Sequence, residues 1–272
     1  MKLVHTLLFM VREASRAHDM ELSERCLKSL EKSTYRDVVV YNQGCMTNEQ
    51  LAEYLKQFRL TFTIIGDAVN VGIVAGRQSC FNHIFRHMPN TDFISELHTD
   101  MIFAADWDSP LVKYLCENSG EPMICCGIVT DAEVIKLYPD GVDTYFAKYV
   151  RNEIGRGLVH PCVHRAQVLK AVGGYDTRFL KGQQGFEDDS LLVSYHYYYG
   201  TRANWVPKIS YNSVVYHAIG GQRFGMDENL YSNYAGLVSQ YGAMGINVLS
   251  NVHINPWHIE FFSRNFNTMA GG

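Results

Sequence analysis

The sequence predicts an α/β protein in which a mixed, mostly parallel sheet is flanked by helices. Short apolar strands alternate with helix-patterned segments through the first hundred residues, which is typical of βαβ units. Hydrophobic residues make up 47% of the 272 positions, enough to bury a sizeable core. We therefore expect one domain over residues 1–220, followed by a helical or extended C-terminal tail over 221–272.

The first four predicted strands are apolar runs that each end in polar residues. They are HTLLFMV (5–11), DVVVYN (37–42), LTFTIIGD (60–67) and TDFISELHTD (91–100). Helical spacing of apolar residues predicts the intervening helices over 21–33, 47–58 and 70–88. Thr47 or Asn48 is the expected N-cap of the second helix. Ligands of such sheets bind beyond the carboxyl ends of the strands, which makes the polar strand ends candidates for function.

The second half of the chain is less regular. A strand is predicted over 121–130, and the charged, glycine-punctuated segment 131–157 is expected to form a loop or short helices. A short helix should follow in 163–200, and a second helix should begin near Glu187. RANWVP and SVVYHAIGG predict late strands, and a helix is expected around 228–241.

Charge and cysteine usage exclude several functional classes. The net charge of -4 and the lack of a Lys/Arg run argue against nucleic acid as a partner. The seven cysteines are odd in number and form no C-x-x-C pair, which favours free thiols in a reducing compartment. The early apolar run LVHTLLFMV is too short to span a bilayer and lacks signal-peptide features. We therefore expect a soluble cytoplasmic protein.

The strand-like stretch FISELHTDMIF ends in a histidine and an aspartate two residues apart, His98 and Asp100. Side chains at i and i+2 of a strand point the same way, so the pair could form a metal site, a hydrogen-bonded pair or an accidental neighbourhood. His217 ends the later run VVYHAIGG. A lone histidine there is structural more often than ligating, by about three to one. The three residues together would nevertheless suit Mn²⁺ or Mg²⁺ with phosphate oxygens.

Three consecutive carboxylates, Glu187, Asp188 and Asp189, open a predicted helix in GFEDDS. Acidic residues are common in a first helical turn because they complement the helix dipole, so a catalytic role has on this ground alone about one chance in four. The glycine-flanked loop ahead of them raises that chance. A carboxylate beside a second carboxylate or a metal can be tuned to serve as a general base.

The segment NVGIVAGRQ (70–78) is neither a G-x-G-x-x-G fingerprint nor a P-loop. It still offers Gly72 and Gly76 for close backbone approach and Arg77 for contact with a phosphate.

Taken in order, these stretches resemble a family-2 glycosyltransferase of the GT-A fold. VVVYNQGCMTNE resembles the nucleotide-binding strand and turn, and NVGIVAGRQ resembles N-x-G-x-x-x-A-R-N. ELHTDM stands where the family has D-x-D, and VLKAVGGYDTRF…GFEDDSLL resembles v-G-G-f-D-e-x-f…x-E-D-x-D-L. VVYHAIGG matches the family's late histidine, and NLYSNYAGLVSQYG is faintly similar to its terminal K-W-G helix. The resemblance covers residues 1 to about 245 and departs from the family at His98, Asn42 and Ser190, where aspartates are usual.

The resemblance implies an inverting, metal-dependent transferase that moves a sugar from a nucleoside-diphosphate sugar, UDP-sugar above all, to a hydroxyl of a glycan or glycolipid precursor. Residues 1–100 would form the nucleotide-sugar half and 101–220 the acceptor half. If the acceptor is linked to a lipid, the protein would associate peripherally with the membrane that holds this acceptor. Asp188 would be the base, and Glu187 would position the acceptor or donor sugar. The implied Mn²⁺ or Mg²⁺ ligands are Asp100, His217 and His98. The implied donor-binding residues are Asn42, Asp67, Asn70, Gly72, Arg77, His98 and Thr99.

Two other functions are compatible with the same residues. A catalytically weak or inactive relative that binds sugar nucleotides or glycans is motivated by His98 and Asn42. A nucleotidyltransferase is disfavoured because the sequence lacks a Gly-rich, Lys/Arg-bearing phosphate loop near its start.

Overall fold

The structure is a computed structural model that describes residues 1–177, 186–199, 205–218 and 230–246, with Leu249 and Glu260. Its strands are β1 (Leu3–Phe9), β2 (Asp37–Asn42), β3 (Thr61–Ile65), β4 (Phe93–Leu97), β5 (Met101–Phe103), β6 (Met123–Val129), β7 (Ile154–Arg156), β8 (Cys162–Arg165) and β9 (Lys208–His217). Its helices are α1 (Arg16–Leu30), α2 (Asn48–Leu55), α3 (Gly72–His87), α4 (Ser109–Glu117), α5 (Glu133–Leu137), α6 (Val142–Phe146), α7 (Ala166–Val172), α8 (Glu187–Tyr199) and α9 (Leu230–Ile246). A 3-10 turn, Glu13–Ser15, precedes α1.

The nine described strands join one sheet in the order β3-β2-β1-β4-β8-β6-β9-β5, with β7 paired to β9. Strands β3, β2, β1 and β4 are parallel, and so are β6 and β9. Strand β8 runs antiparallel to both β4 and β6, and β5 and β7 run antiparallel to β9. The parallel ladders join more residues than the antiparallel ones. The predicted α/β class with a mixed, mostly parallel sheet is confirmed.

The parallel register brings the ends of β1, β2 and β4 to one edge of the sheet. Phe9 is opposite Asn42, and Leu7 is opposite Leu97. The loops that follow these strands therefore leave the sheet side by side, as expected for the ligand-binding edge of such a fold.

Helices cover both faces of this sheet, because neighbouring side chains of β1 point alternately into two different cores. Leu3 and Leu7 belong to the core that packs against α1, α2 and α4, whereas Val4 belongs to the core on the side of α3, α7 and α8. Strands that are buried on both faces consist of nearly continuous apolar residues, which explains why these runs were readable in the sequence.

Several predicted elements agree closely with the structure. Helix α2 has the expected N-cap Thr47, which forms a capping box with Gln50. Strand β2 spans the predicted residues 37–42, and α8 begins at Glu187. Helix α9 lies at 230–246, near the prediction of 228–241.

Five details differ from the sequence prediction. Strand β4 ends at Leu97, three residues before the predicted end, and α1 begins at Arg16 rather than at residue 21. Strand β5 and helix α4 were not separately predicted. A strand, β8, occupies the start of the segment where a short helix was expected, because it pairs with both β4 and β6. Tertiary pairing of this kind overrides local propensity.

Parts of the prediction lie outside the described residues. They are Gly185 of the carboxylate motif, the first half of RANWVP, the boundary near 220 and most of the tail. The predicted division into domain and tail therefore stays a prediction. Among the described helices, none is at once long enough and apolar enough to cross a membrane.

Candidate active site

The turn after β4 and the end of β9 bring His98, Asp100 and His217 together. Strand β5 follows the turn directly and pairs with β9, so that Met101 is opposite His217. The His217 Nε2 atom lies 3.4 Å from the Asp100 Oδ1 atom, and the His98 and His217 ring centroids are 5.0 Å apart. One ligand atom of each of the three residues lies within 4.8 Å of the others.

The reason for this convergence differs from the one the sequence suggested. His98 and Asp100 do not alternate along a strand, because β4 ends at Leu97. The turn is instead held by backbone and thiol contacts. Ala218 donates its N–H to the Asp100 carbonyl at 3.1 Å, and Cys26 donates its thiol to the His98 carbonyl at 3.3 Å. Thr99, between the two site residues, is buried.

The donor set fits a hard or borderline divalent cation. Two imidazoles and one carboxylate combine ligand types that Mn²⁺ accepts, and no thiolate is among them to favour a soft metal. Asp100 and His217 are buried and His98 is partly exposed, which leaves the cluster open to a ligand on the His98 side.

The second part of the site is the start of α8. Asp188 Oδ1 lies 3.5 Å from Arg77 Nη1 and 3.6 Å from His160 Nε2, and the Tyr175 hydroxyl oxygen lies 3.3 Å from it. The Asp188 side chain keeps 31% of its surface exposed, whereas Glu187 is buried.

Burial, followed by the negative charge of Glu187, raises the pKa of Asp188 well above its usual range, and Arg77 only partly opposes this. A carboxylate with a raised pKa and an open face can accept a proton near neutral pH. This is the property the sequence motif required of a base, although no contact here assigns a substrate to Asp188.

Arg77 lies in a buried polar network. Its guanidinium is buried and lies 2.7 Å from Glu96. It also contacts the Tyr175 hydroxyl at 3.1 Å and His160 Nε2 at 3.0 Å, and it donates to His98 Nε2 at 2.5 Å. Arg77 thus lies between Asp188 and the imidazole–carboxylate cluster, which consists of His98, Asp100 and His217. Its predicted contact with a donor phosphate stays a prediction.

Sequence reasoning missed the buried residues around Arg77, above all Glu96. Glu96 lies on β4 and accepts hydrogen bonds from the Tyr175 hydroxyl at 2.9 Å and from His164 Nε2 at 2.8 Å. Burial alone would raise its pKa, but Arg77 and His164 together hold the pKa of Glu96 well below its usual range. The available signal was a carboxylate in the middle of the apolar run FISEL, since such groups are almost never buried without a partner.

A small cavity lies beside this network. About 10 Å³ is open to the centre of a water molecule, which is what one bound water needs. Its polar lining comes from Glu96, His160, Cys162, His164, Tyr175 and Asp188.

Three predicted donor-binding residues lie at the same sheet edge, at the end of β2 and in the loop after β3. Asn42 is buried, and its side-chain amide donates to the Met46 carbonyl at 2.9 Å and to Asn48 Oδ1 at 2.8 Å. Asp67 and Asn70 are exposed. Their contacts with a nucleotide stay predictions, and the structure shows Asn42 shaping its own loop.

Two glycines fix the backbone around these residues. Gly66 has φ +83°, and a Cβ at this position would lie 2.7 Å from the Asn42 carbonyl oxygen. Gly72 has φ +82° and begins α3, where its N–H donates to Asn70 Oδ1 at 2.9 Å. A helix N-terminus so arranged suits an anion, which agrees with the predicted role of Gly72 without testing it.

Comparisons with known proteins show the fold but no sequence family. No protein-family model matches the chain, and no curated protein matches it in sequence.

Solved structures with similar folds include S. aureus TarS 1-349 in complex with UDP, with a TM-score of 0.59 and 13% identity over 93% of this chain and 70% of that one. The UDP-GlcNAc complex of the same protein gives a TM-score of 0.59 and 12% identity, over 93% and 71% of the two chains. GalNAc-T7 with UDP, GalNAc and Mn²⁺ gives a TM-score of 0.62 and 13% identity, over 98% of this chain and 55% of that one. This chain therefore spans little more than half of GalNAc-T7. The predicted GT-A fold is confirmed, whereas membership of family 2 stays a prediction.

Proposed function

We propose that this chain is an inverting, metal-dependent glycosyltransferase that uses a nucleoside-diphosphate sugar. One observation supports this proposal above all others. At the ligand-binding edge of a GT-A fold, an imidazole–carboxylate cluster lies next to a carboxylate, Asp188, whose pKa is raised. The similar structures contain UDP, UDP-GlcNAc, or UDP with GalNAc and Mn²⁺, which supports a UDP-sugar as the donor.

Asp100, His217 and His98 would hold Mn²⁺ or Mg²⁺ together with the donor diphosphate. When bound, the cation neutralises the charge that develops on the leaving nucleoside diphosphate.

The protein's own residues supply the remaining chemistry. Asp188 takes the proton of the acceptor hydroxyl while that oxygen forms a bond to the anomeric carbon. The bond from that carbon to the diphosphate oxygen breaks on the opposite side, so the configuration inverts. Glu187 raises the proton affinity of Asp188 and positions the acceptor or the donor sugar.

Donor recognition is proposed to lie in the first hundred residues and acceptor recognition in 101–220. Asn42 and Asp67 would lie near the base and ribose. Asn70, Gly72, Arg77 and Thr99 would contact the rest of the donor. The acceptor would be a glycan, a glycolipid or another hydroxyl compound, with peripheral membrane association where it is lipid-linked.

We further propose a cytoplasmic location. All seven cysteines are unpaired, which is the usual state of thiols in a reducing compartment.

A thermal-shift screen tests donor binding. UDP-, GDP-, dTDP- and CMP-sugars are each added with Mn²⁺, and the true donor should raise the melting temperature because it binds only the folded state. Product formation is then followed with that donor and a panel of acceptors. Turnover that survives unchanged in Asp188→Asn would contradict the assigned base, and inversion is read from the anomeric configuration of the product.

A second candidate is a relative that binds nucleotide sugars or glycans without catalysis. It is favoured by Asn42, whose side-chain amide is already engaged by its own loop, and by His98, which is engaged by Arg77. Calorimetry separates the two functions, since tight nucleotide binding without turnover on any acceptor would support the second.

A further inference from the structure

A buried ion pair joins the two halves of the proposed active site. Arg77 and Glu96 are both almost fully buried, with side chains 4% and 1% exposed. Burying a guanidinium and a carboxylate removes both charges from water. The attraction between them at 2.7 Å offsets this desolvation free energy only if other hydrogen bonds satisfy both groups. The other polar groups that contact Arg77 and Glu96 therefore indicate what the ion pair does.

Glu96 is held by donors from two elements and one loop. Tyr175 follows α7, His164 lies on β8 and Arg77 lies on α3, and each places a polar hydrogen-bonding atom within 3.1 Å of the carboxylate. His164 is in turn fixed by the Tyr195 hydroxyl of α8 at 2.8 Å. The carboxylate is thereby locked in position, and so is the guanidinium bound to it.

Arg77 then reaches both functional groups. Its Nη2 atom donates to His98 Nε2, and its Nη1 atom lies 3.5 Å from Asp188 Oδ1. We infer that Glu96 and Arg77 form a positioning pair, which sets His98 on the donor side and Asp188 on the acceptor side relative to each other. This inference rests on the proposed function for its catalytic consequence, but its geometry is independent of it.

The pair also decides which nitrogen of His98 carries the proton. Arg77 can only donate, so His98 Nε2 must accept and the ring proton must lie on Nδ1. A ring in this form has no lone pair left for a metal. His98 could therefore join Asp100 and His217 as a ligand of the proposed metal only if Arg77 released its Nε2 atom.

A metal on the Glu96 side is the competing explanation of the buried cluster. Single ligand atoms of Glu96, Cys162 and His164 lie within 4.8 Å of one another. The guanidinium of Arg77, 2.7 Å from the same carboxylate, already supplies a positive charge there and would repel a dication. The hydrogen-bond network accounts for these contacts without a metal.

Imidazole nitrogen NMR tests the geometry without any need for activity. In protein labelled with ¹⁵N-histidine, the His98 signals, identified by their loss in His98→Asn, should show the Nδ1–H tautomer at a pH where the ring is neutral. Arg77→Met and Glu96→Gln should both shift the Nε2 resonance, because they remove or release the donor. An Nε2–H tautomer in the native protein would overturn the inference, as would stoichiometric Zn²⁺ that is lost in Cys162→Ser.

Kinetics test the consequence for catalysis. Glu96→Gln should lower kcat by about 10²-fold, the order expected when reacting groups are misplaced by about 1 Å. Asp108→Asn is the matched control, because Asp108 is also a buried carboxylate beside an imidazole, that of His5. It should lower the melting temperature while kcat stays within about twofold, as expected of a change that does not touch the reacting groups.

The NMR and kinetic experiments distinguish a wrong positioning role from a wrong proposed function. Equal kcat values for Glu96→Gln and Asp108→Asn would overturn the positioning role in an active enzyme. If the native protein turned over no donor, the proposed function would fail, and the tautomer of His98 would still decide whether the pair sets its geometry.

Discussion

At the scale of single residues, Asp188 owes its properties to what surrounds it. Its carboxylate lies beside Glu187, and among the described residues the cation nearest to it is Arg77, which already has a carboxylate partner in Glu96. In the part of the chain that the structure describes, negative charges near Asp188 outnumber positive ones, and its proton is held more tightly than that of an ordinary aspartate. Such perturbed carboxyls cluster at functional sites.

Asp188→Asn should raise the melting temperature at pH 7 while it abolishes turnover. A raised folded pKa favours the protonated form, so its contribution to stability is full below about pH 3.9, the ordinary value, and is lost as pH rises through the raised pKa. The neutral amide removes that loss of stability. Each kcal/mol gained in the free energy of unfolding should raise the melting temperature by about 2–4 °C. The gain should vanish below about pH 4. Asp140→Asn, at an exposed aspartate, is the control and should change neither property.

The same shift predicts the acid limb of the rate profile. With saturating Mn²⁺, kcat should fall as pH is lowered through the raised pKa of Asp188, well above the ordinary aspartate value of about 3.9. Glu187→Gln removes the neighbouring charge and should move the limb to lower pH. A limb at the same pH in Glu187→Gln would contradict the assignment.

Asp100→Asn should weaken Mn²⁺ binding by more than tenfold, since even outer-shell partners of metal ligands are worth about 10–100-fold. Electron paramagnetic resonance of free Mn²⁺ measures this directly. Asp106→Asn is a nearby control, because Asp106 lies after β5 and accepts from Thr34. Unchanged Mn²⁺ affinity in Asp100→Asn would remove the metal assignment.

At the scale of elements, the loops at the carboxyl ends of the strands depend on special backbone positions. Strand β3 must turn back toward β2 at Gly66, close to the Asn42 carbonyl, and α3 must start at Gly72 with a positive φ. These glycines set the path of the loop that carries Asp67 and Asn70. The predicted donor pocket is therefore built from backbone geometry as much as from side chains.

Gly66→Ala should destabilise the protein by at least about 1–2 kcal/mol, the cost of a left-handed backbone for an L residue. Contact with the Asn42 carbonyl adds to this cost. Gly120→Ala is the matched control, since no atom lies within 4 Å of a Cβ there. Urea denaturation should show a lower midpoint for Gly66→Ala and an unchanged or higher midpoint for Gly120→Ala. Equal midpoints would contradict the strain argument.

At the scale of the whole molecule, β4 is the strand where the parallel half of the sheet meets the antiparallel pairs. It pairs with β1 on one side and with β8 on the other. It carries Glu96 and leads directly into His98 and Asp100, so both parts of the site depend on this one strand. We therefore expect a ligand at the proposed site to contact elements from both halves of the fold.

UDP with Mn²⁺ should therefore stabilise the domain as one unit. At 100 times the dissociation constant, the gain is about 2.7 kcal/mol, visible as a single shifted melting transition. Asp100→Asn should lose most of this shift, whereas Gly120→Ala should keep it. Two separate transitions, only one of which responds to UDP, would contradict a single cooperative site.

The sequence alone determined the features that depend on local pattern. Apolar runs and helical spacing predicted β1 to β4 with their helices, and GFEDDS predicted the start of α8. The order of motifs predicted the GT-A fold and brought Asp100, His217 and Asp188 forward as site residues. These signals are readable because the periodicity of a strand or helix is written in neighbouring residues.

Only the tertiary structure decided how the site is connected. The reach of Arg77 to both His98 and Asp188, and the donors gathered around Glu96, join α3, β4, β8 and α8, which are far apart in the chain. Strand β8 itself exists because β4 and β6 pair with it. Contacts over such separations depend on topology, and no local pattern encodes which buried carboxylate will meet which buried cation.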